Sequence, residues 1–191
     1  MQSGEILVAR LKAGATLVRC LRPTGHSERT RVSVGRNREA QLSSGRIMMA
    51  TGIIVSDHDQ VEELRTRCEA LSSEIDLSKL WELVCDESAP ISLEDLASLY
   101  WGKLHEMPQR LALLLHLDRT SLYFVREEDS YKPRSQETVR EIEDRKRQKA
   151  ENAEAAKSLM EHLSVGRLPS NPTAHQFSMV EHLRGFAVYG D

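Results

Sequence analysis

The sequence predicts an α+β fold in which a small SH3-like β-barrel is followed by a winged-helix (helix-turn-helix) domain and a long connector helix. Short apolar runs separated by turn residues fill residues 4–55. From residue 57 onward the apolar residues recur at helical spacing, and residues 136–163 are highly charged with few apolar side chains. The predicted domains are an SH3-like or OB-like barrel (1–56), a winged-helix domain (57–135), and a connector helix with a C-terminal apolar helix (136–191).

Four or five short strands are predicted in the barrel. Residues 29–34 alternate polar and apolar side chains, which is typical of a half-buried strand. The longer apolar run at residues 46–55 contains Gly52, which indicates a bulge or a corner. Turn residues separate the runs, among them Pro23-Thr24-Gly25. A barrel this small has little room for a ligand inside, so a binding site would lie on its outer face.

Helix-terminal residues divide the next segment into helices. The predicted N-caps are Asp57, Asp76 and Ser92, while Gly102 ends the third helix and Met107-Pro108 opens the fourth. Residues 121–125 predict a strand, residues 127–130 an acidic polar tip, and residues 131–133 a returning strand. This order is typical of a winged helix, with residues 94–102 and 108–120 as the helix-turn-helix pair.

The C-terminal third is predicted to form a long charged helix that ends near Gly166. Its basic cluster at residues 145–149 is either a solvated face with pairs such as Glu141 with Arg145, or a contact for RNA. Residues 177–189 suggest a last helix with a strongly apolar face, including Phe177, Leu183, Phe186 and Tyr189. This face needs a partner surface, in this chain, in a second copy, or in a neighbouring catalytic domain.

The charge distribution favours a polyanionic ligand for the barrel. Residues 1–50 hold nine Lys/Arg against three acids, whereas residues 76–135 hold seven Lys/Arg against eleven acids. A basic barrel attracts phosphate groups, although the same charges would also serve a merely solvated surface. The candidate RNA-binding residues are Arg10, Lys12, Arg19, Arg22, Arg31, Arg36, Arg38, Arg46, Arg110, Arg119, Lys132 and Arg134.

No catalytic or metal site is predicted in this chain. The sequence contains no H-E-x-x-H, P-loop, G-x-G-x-x-G or G-x-S-x-G motif. The three cysteines are far apart in the sequence and are predicted to be small buried thiols. Asp57, His58 and Asp59 are adjacent, but a helix cap is a better interpretation of them than a metal site. No membrane span or secretory signal is recognisable, so we expect a cytoplasmic protein without a cofactor of its own.

Three pieces of sequence carry a resemblance to a known family. They are the residues LWEL at 80–83, LEDLA at 93–97, and LYF at 122–124 followed by YKPRS at 131–135. In this order and spacing, residues 75–135 resemble the winged helix that precedes the catalytic domain in RNase II/RNase R (RNB) exoribonucleases of bacteria and plastids, of the cyanobacterial and Deinococcus type. Residues 4–55 are similar to the SH3-like barrel that opens those proteins. The long helix after residue 135 and residues 179–191 resemble the connector towards the catalytic domain.

The resemblance implies an accessory role in 3′→5′ RNA degradation or processing. The chain would bind single-stranded RNA and guide it to an RNB catalytic domain, present in cis or in trans. The family's metal-binding carboxylates would lie beyond Asp191, so Mg²⁺ is expected only in that domain and this chain alone is not expected to be an enzyme. Two alternatives stay open: a winged-helix DNA-binding transcriptional regulator, and a protein-interaction scaffold. The helix predicted at 108–120 offers few base-reading side chains, which counts against the regulator.

Overall fold

The computed structural model describes the backbone of residues 1–22 and 29–189, and the side chains of residues 1–22 and 29–185. The turn predicted at Pro23-Thr24-Gly25 and the side chains of Phe186 and Tyr189 lie outside the described residues. The chain divides into two compact units, residues 1–135 and residues 136–191. The boundary at residue 56 between barrel and winged helix therefore stays a prediction.

A five-stranded antiparallel sheet opens the first unit. Its strands are β1 (Glu5–Leu11), β2 (Gly14–Arg22), β3 (Arg29–Gly35), β4 (Arg38–Ser43) and β5 (Ile47–Ile54), in the spatial order β4-β3-β2-β1-β5. A 3₁₀ turn, Ser44–Arg46, connects β4 to β5. Because β4 and β5 each form an edge, hydrogen bonds between the described strands do not close the sheet. The α+β class is confirmed, and the closed SH3-like barrel is not.

The bulge predicted at Gly52 is present in β5. Gly52 has a φ of 73°, a backbone conformation that favours glycine. Its N–H donates to the Glu5 carboxylate at 3.0 Å, and the register between β1 and β5 shifts next to Glu5. The glycine thus bends β5 around β1, as expected for a corner in a strongly curved sheet.

Both faces of β1 are buried, so the strand lacks the polar and apolar alternation of a half-buried strand. Ile6 and Val8 join a core that also contains residues of the helices, whereas Leu7 and Ala9 join a second core enclosed by the sheet. The sheet-enclosed core contains Leu7, Ala9, Val18, Cys20, Val32 and Leu42. The larger core contains Leu17 of β2 together with Leu113 and other buried residues of the helical region. The sheet and the helices of residues 1–135 therefore share one core.

The remainder of the first unit has winged-helix topology. Its elements are α1 (Asp59–Glu74), α2 (Leu77–Glu82), β6 (Ile91–Ser92), α3 (Leu93–Trp101), α4 (Met107–Arg119), β7 (Phe124–Glu127) and β8 (Ser130–Pro133). The three strands pair in the order β6-β8-β7. Strand β7 begins three residues later than predicted. Since β8 begins at Ser130, the acidic tip between the two strands is only two residues long, and Glu128 there has a φ of 52°.

The predicted helix ends agree closely with the structure. Ser92 accepts a hydrogen bond from the backbone N–H of Asp95, and Gly102 ends α3 with a φ of 88°. The N-cap position of α1 is occupied by His58 rather than by Asp57, yet the Asp57 carboxylate still accepts from the backbone N–H of Gln60 at 3.0 Å. Local capping chemistry therefore determines where these helices begin and end.

Asp76 caps α2 and gives the unit an acid-sensitive contact. The Ser78 hydroxyl and the Lys79 backbone N–H donate to its carboxylate and lower the pKa of Asp76 to about 2. The pKa of an aspartate in the unfolded chain is about 3.9. The stabilisation from this cap is therefore fully present above about pH 4 and is lost as the pH falls through 2. We expect Asp76→Ala to lower the urea midpoint at pH 7. The difference in midpoint between the variant and the wild type should shrink as the pH falls towards 2. A gap that stays constant down to pH 2 would contradict this assignment.

The second unit consists of two helices that pack together. They are α5 (Gln136–Ser164) and α6 (Ala174–Tyr189), joined by a link in which Gly166 has a φ of 69°. Gln176 is buried, and its side-chain amide donates to the Ala155 carbonyl at 2.9 Å. On α6, the side chains of Phe177 and Leu183 are more than half exposed.

Candidate nucleic-acid interface

Helix α4 occupies the position of the recognition helix, and most of its surface is covered. Its residues Leu111, Ala112, Leu113, Leu114, Leu115 and Leu117 are all buried. From α1, the Ser72 hydroxyl donates to the Ala112 carbonyl at 3.1 Å. From β2, the Ala15 backbone N–H donates to the Asp118 carboxylate at 2.8 Å. Because α1 and the sheet pack on α4, this helix is not available to enter a nucleic-acid groove.

The cations predicted on α4 are engaged within the unit. Arg110 pairs with Glu94 of α3, and Arg119 pairs with Glu69 of α1 at 3.5 Å. Burial, together with the nearby positive charge of Arg119, lowers the pKa of His116 and favours its neutral ring. In the returning segment after β8, the Arg134 guanidinium donates to the Ser121 carbonyl at 3.2 Å. These groups therefore stabilise the packing of the helices and the wing.

Several of the sheet arginines are also engaged. Arg10 pairs with Asp118, Arg36 pairs with Asp59 at 3.0 Å, and Arg31 donates to Glu39 at 2.6 Å. The Nε of Arg19 donates to the Val55 carbonyl at 3.2 Å. Acids on α1 and α4 thus neutralise part of the positive charge that the sequence assigns to the barrel.

A smaller set of exposed cations is left on the sheet. Among the described residues, no ion pair uses Lys12, Arg22, Arg38 or Arg46. In the register between β2 and β3, Arg22 lies opposite Arg31, while Arg38 opens β4. On the wing, Lys132 is exposed and likewise takes part in no ion pair of the described chain. We call Lys12, Arg22, Arg38 and Arg46 the unpaired sheet cations.

Two clefts of this unit are lined by other arginines of the sheet. The first has a volume of about 520 Å³ and is lined by Arg19, Leu21, Ser33, Arg36, Asn37, Glu39, Ser56, Asp57 and His58. The second, of about 250 Å³, lies beside the wing and is lined by Arg10, Gly45, Ile47, Met48, Arg126 and Glu128. Asn37, Ser56 and His58 were not among the predicted site residues, because polar residues in turns carry no distinctive sequence pattern.

Thiol or metal chemistry finds no support in the described residues. Burial raises the pKa of the Cys68 thiol to about 11, and burial together with Glu5 raises that of Cys20. Cys85 is only partly buried, unlike the prediction. Within the described ranges, no three His, Cys, Asp or Glu side chains form a group that could hold a metal ion. The adjacent Asp57, His58 and Asp59 are among the residues for which this holds.

Comparison with known protein families identifies the helical region. Residues 63–138 match the family model described as Ribonuclease II, winged helix domain. The match supports the winged helix predicted for this part of the chain, which is similar to the winged helix domain of ribonuclease II. The matched region begins inside α1, so most of the helix that packs on α4 lies within it. Comparison with curated proteins and with solved structures gives no match.

In the described part of the chain, no helix combines the length and the apolar character needed to cross a bilayer.

Proposed function

We propose that this chain is the RNA-binding and RNA-guiding N-terminal region of an RNB-family 3′→5′ exoribonuclease, with an SH3-like barrel of the cyanobacterial and Deinococcus type. Its ligand is single-stranded RNA, and it acts in RNA degradation or processing in the cytoplasm or the plastid stroma. Hydrolysis belongs to an RNB catalytic domain, in cis or in trans, and Mg²⁺ to that domain. The family match to the winged helix of ribonuclease II supports this assignment.

The observation that carries the proposal is the unequal availability of positive charge. The cations of α4 are paired and the helix itself is covered, while the unpaired sheet cations are exposed. Arginine and lysine without acidic partners are free to contact phosphates. The sheet is therefore the surface that binds RNA, and the winged helix packs against the sheet.

The covered α4 also counts against the DNA-binding regulator. Such a protein reads base edges with side chains of the recognition helix in the major groove. Here that helix packs against α1 and β2, so reading would require the core of residues 1–135 to open.

Replacing the unpaired sheet cations Lys12, Arg22, Arg38 and Arg46 together by Gln should weaken binding of the full chain to single-stranded RNA. If each contacts one phosphate, the slope of log K against log salt becomes shallower by about 3, and affinity at low salt falls at least about tenfold. Fluorescence anisotropy with a labelled oligonucleotide over a salt series measures both quantities.

A matched control removes the same charge from another surface. Arg145, Lys146, Arg147 and Lys149 of α5 are replaced together by Gln, and we expect the RNA affinity to change by less than about threefold. Equal losses in the two variants would show that net charge, rather than the sheet, determines binding. Tighter binding to duplex DNA than to single-stranded RNA would favour the regulator instead.

A further inference from the structure

An apolar pocket opens on the surface of the second unit, between α6 and the link that precedes it. Leu168, Pro169 and Pro172 line it from the link, and Phe177 and Val180 line it from α6. Its volume is about 150 Å³. A cavity of this size accommodates a benzene ring, so the pocket has room for one large apolar side chain. We call it the α6 pocket.

Hydrogen bonds at the start of α6 hold the α6 pocket in shape. The backbone N–H of Gln176 donates to the Thr173 hydroxyl at 3.2 Å, and the backbone N–H of Thr173 donates to the Gln176 side-chain oxygen at 3.0 Å. This reciprocal capping box fixes the first turn of the helix. The side-chain amide of Gln176 also donates to the Ala155 carbonyl of α5. The pocket is therefore formed before any partner binds.

The apolar surface at this pocket is accessible from outside. Phe177 is 59 % exposed and Leu168 is 51 % exposed, and both line the α6 pocket. Further along α6, Leu183 is 52 % exposed. Single exposed apolar residues are ordinary, but neighbouring ones around a concave site are typical of a protein-binding surface.

Gly185 provides a second, independent observation on the same helix. It lies within α6, and the position that its Cβ would occupy has no atom of the described chain within 4 Å. Glycine inside a helix is destabilising relative to alanine. Neither the packing nor the backbone conformation of this copy requires a glycine here. A glycine at this position does, however, allow another backbone to approach α6 closely.

The charges at the pocket indicate which partner this surface fits. Glu181 and Arg184 complete the lining and form an ion pair of 2.9 Å along the helix, with at least half of each side chain exposed. One acid and one base give no net charge, so neither RNA nor a strongly charged protein face is favoured. A second copy of α6, turned antiparallel, presents the same two residues in reverse order. Each Arg184 then faces Glu181 of the other copy.

We propose that this chain forms a two-fold symmetric dimer in which α6 packs antiparallel against α6 of a second copy. The two α6 pockets face each other, and the exposed part of each Phe177 packs into the facing pocket. Gly185 allows the helices to approach, and Glu181 and Arg184 pair between the copies. This inference goes beyond the proposed function, because it assigns residues 168–185 a partner other than RNA and does not depend on RNA binding.

The first test is sedimentation of the full chain by analytical ultracentrifugation over a series of concentrations. We expect an equilibrium between monomer and dimer that shifts towards the dimer as the concentration rises. A chain that stays monomeric at the highest concentration at which it remains in solution would overturn the proposal. The surface would then be covered by another part of this chain or by a different protein.

Two charge reversals test whether α6 itself forms the contact. Glu181→Arg makes both charged residues of the pocket positive, and Arg184→Glu makes both negative. Because like charges then face each other, we expect each variant alone to dimerise at least about tenfold more weakly than the wild type. An equimolar mixture of the two variants should recover a dimer with one copy of each. Undiminished dimers of the single variants, or a mixture that does not associate, would contradict the proposal.

Gly185→Leu tests the close approach of the two helices. Leucine fills the open space beside α6, so we expect dimerisation to weaken at least about tenfold. The thermal midpoint of the monomer, followed by circular dichroism, should not fall, because leucine is a better helix former than glycine. Gly45→Leu is the matched control, since Gly45 also has no atom of the described chain within 4 Å of its Cβ position but lies in the first unit. Equal dimerisation of the two variants would overturn the proposal.

Discussion

Leu17→Ala in β2 should lower the free energy of unfolding of residues 1–135 by about 2–5 kcal/mol, the usual range for a buried leucine. Leu17 is fully buried and belongs to the core that the sheet shares with the helices. Its loss leaves a cavity between β2 and that core. Because the core is shared, the helical region should lose stability together with the sheet.

Tryptophan fluorescence makes this prediction specific. The chain has two tryptophans, Trp81 and Trp101, and both lie in the helical region of residues 57–135. Their urea transition should move to lower concentration in Leu17→Ala, even though the substitution is in the sheet. An unchanged transition would show that sheet and helices unfold independently. Leu104→Ala is the control, since Leu104 is 99 % exposed and its loss should change stability by less than about 0.5 kcal/mol.

Asp118→Ala should lower the same free energy by about 1.5–3 kcal/mol, the range for hydrogen bonds to a charged group. Its side chain is only 8 % exposed, pairs with Arg10 and accepts the Ala15 N–H at 2.8 Å. Alanine leaves that N–H of β2 without a partner between the sheet and α4. Chemical denaturation of both proteins at pH 7 measures the difference.

Arg10→Met provides the control for this contact. The Arg10 side chain is 53 % exposed, so its half of the ion pair is screened by water and should contribute about 0–1 kcal/mol. Methionine keeps the aliphatic stem and leaves the Ala15 hydrogen bond to Asp118 in place. A loss as large as that of Asp118→Ala would assign the stabilisation to the ion pair instead of the backbone contact.

Features set by neighbouring residues were predictable from the sequence. Ser92 and Asp76 cap their helices, Gly102 ends α3, and Gly52 bends β5, because each effect depends on local backbone geometry. Strand β4 was harder to recognise as a strand, since Ala40 and Leu42 are its only apolar residues. The wing strand β7 was predicted too early, because apolar residues precede it directly.

The candidate site depended on contacts that no local pattern contains. Arg10 and Asp118 are 108 residues apart, and Arg36 and Asp59 are 23 apart, so counting charges by segment could not show that they neutralise one another. The sequence therefore predicted a basic surface, and tertiary packing determines which of its charges are available to bind a ligand.

The shared core also has a consequence for folding during synthesis. Strands β1 and β2 emerge from the ribosome roughly 100 residues before α4 is complete, which at about 5–20 residues per second takes roughly 5–20 s. Until α4 is complete, Ile6, Val8 and Leu17 lack part of the helical surface that covers them in the folded unit. The nascent sheet therefore exposes an apolar face that is prone to aggregation. We expect the nascent chain to depend on chaperones until α4 packs against the sheet.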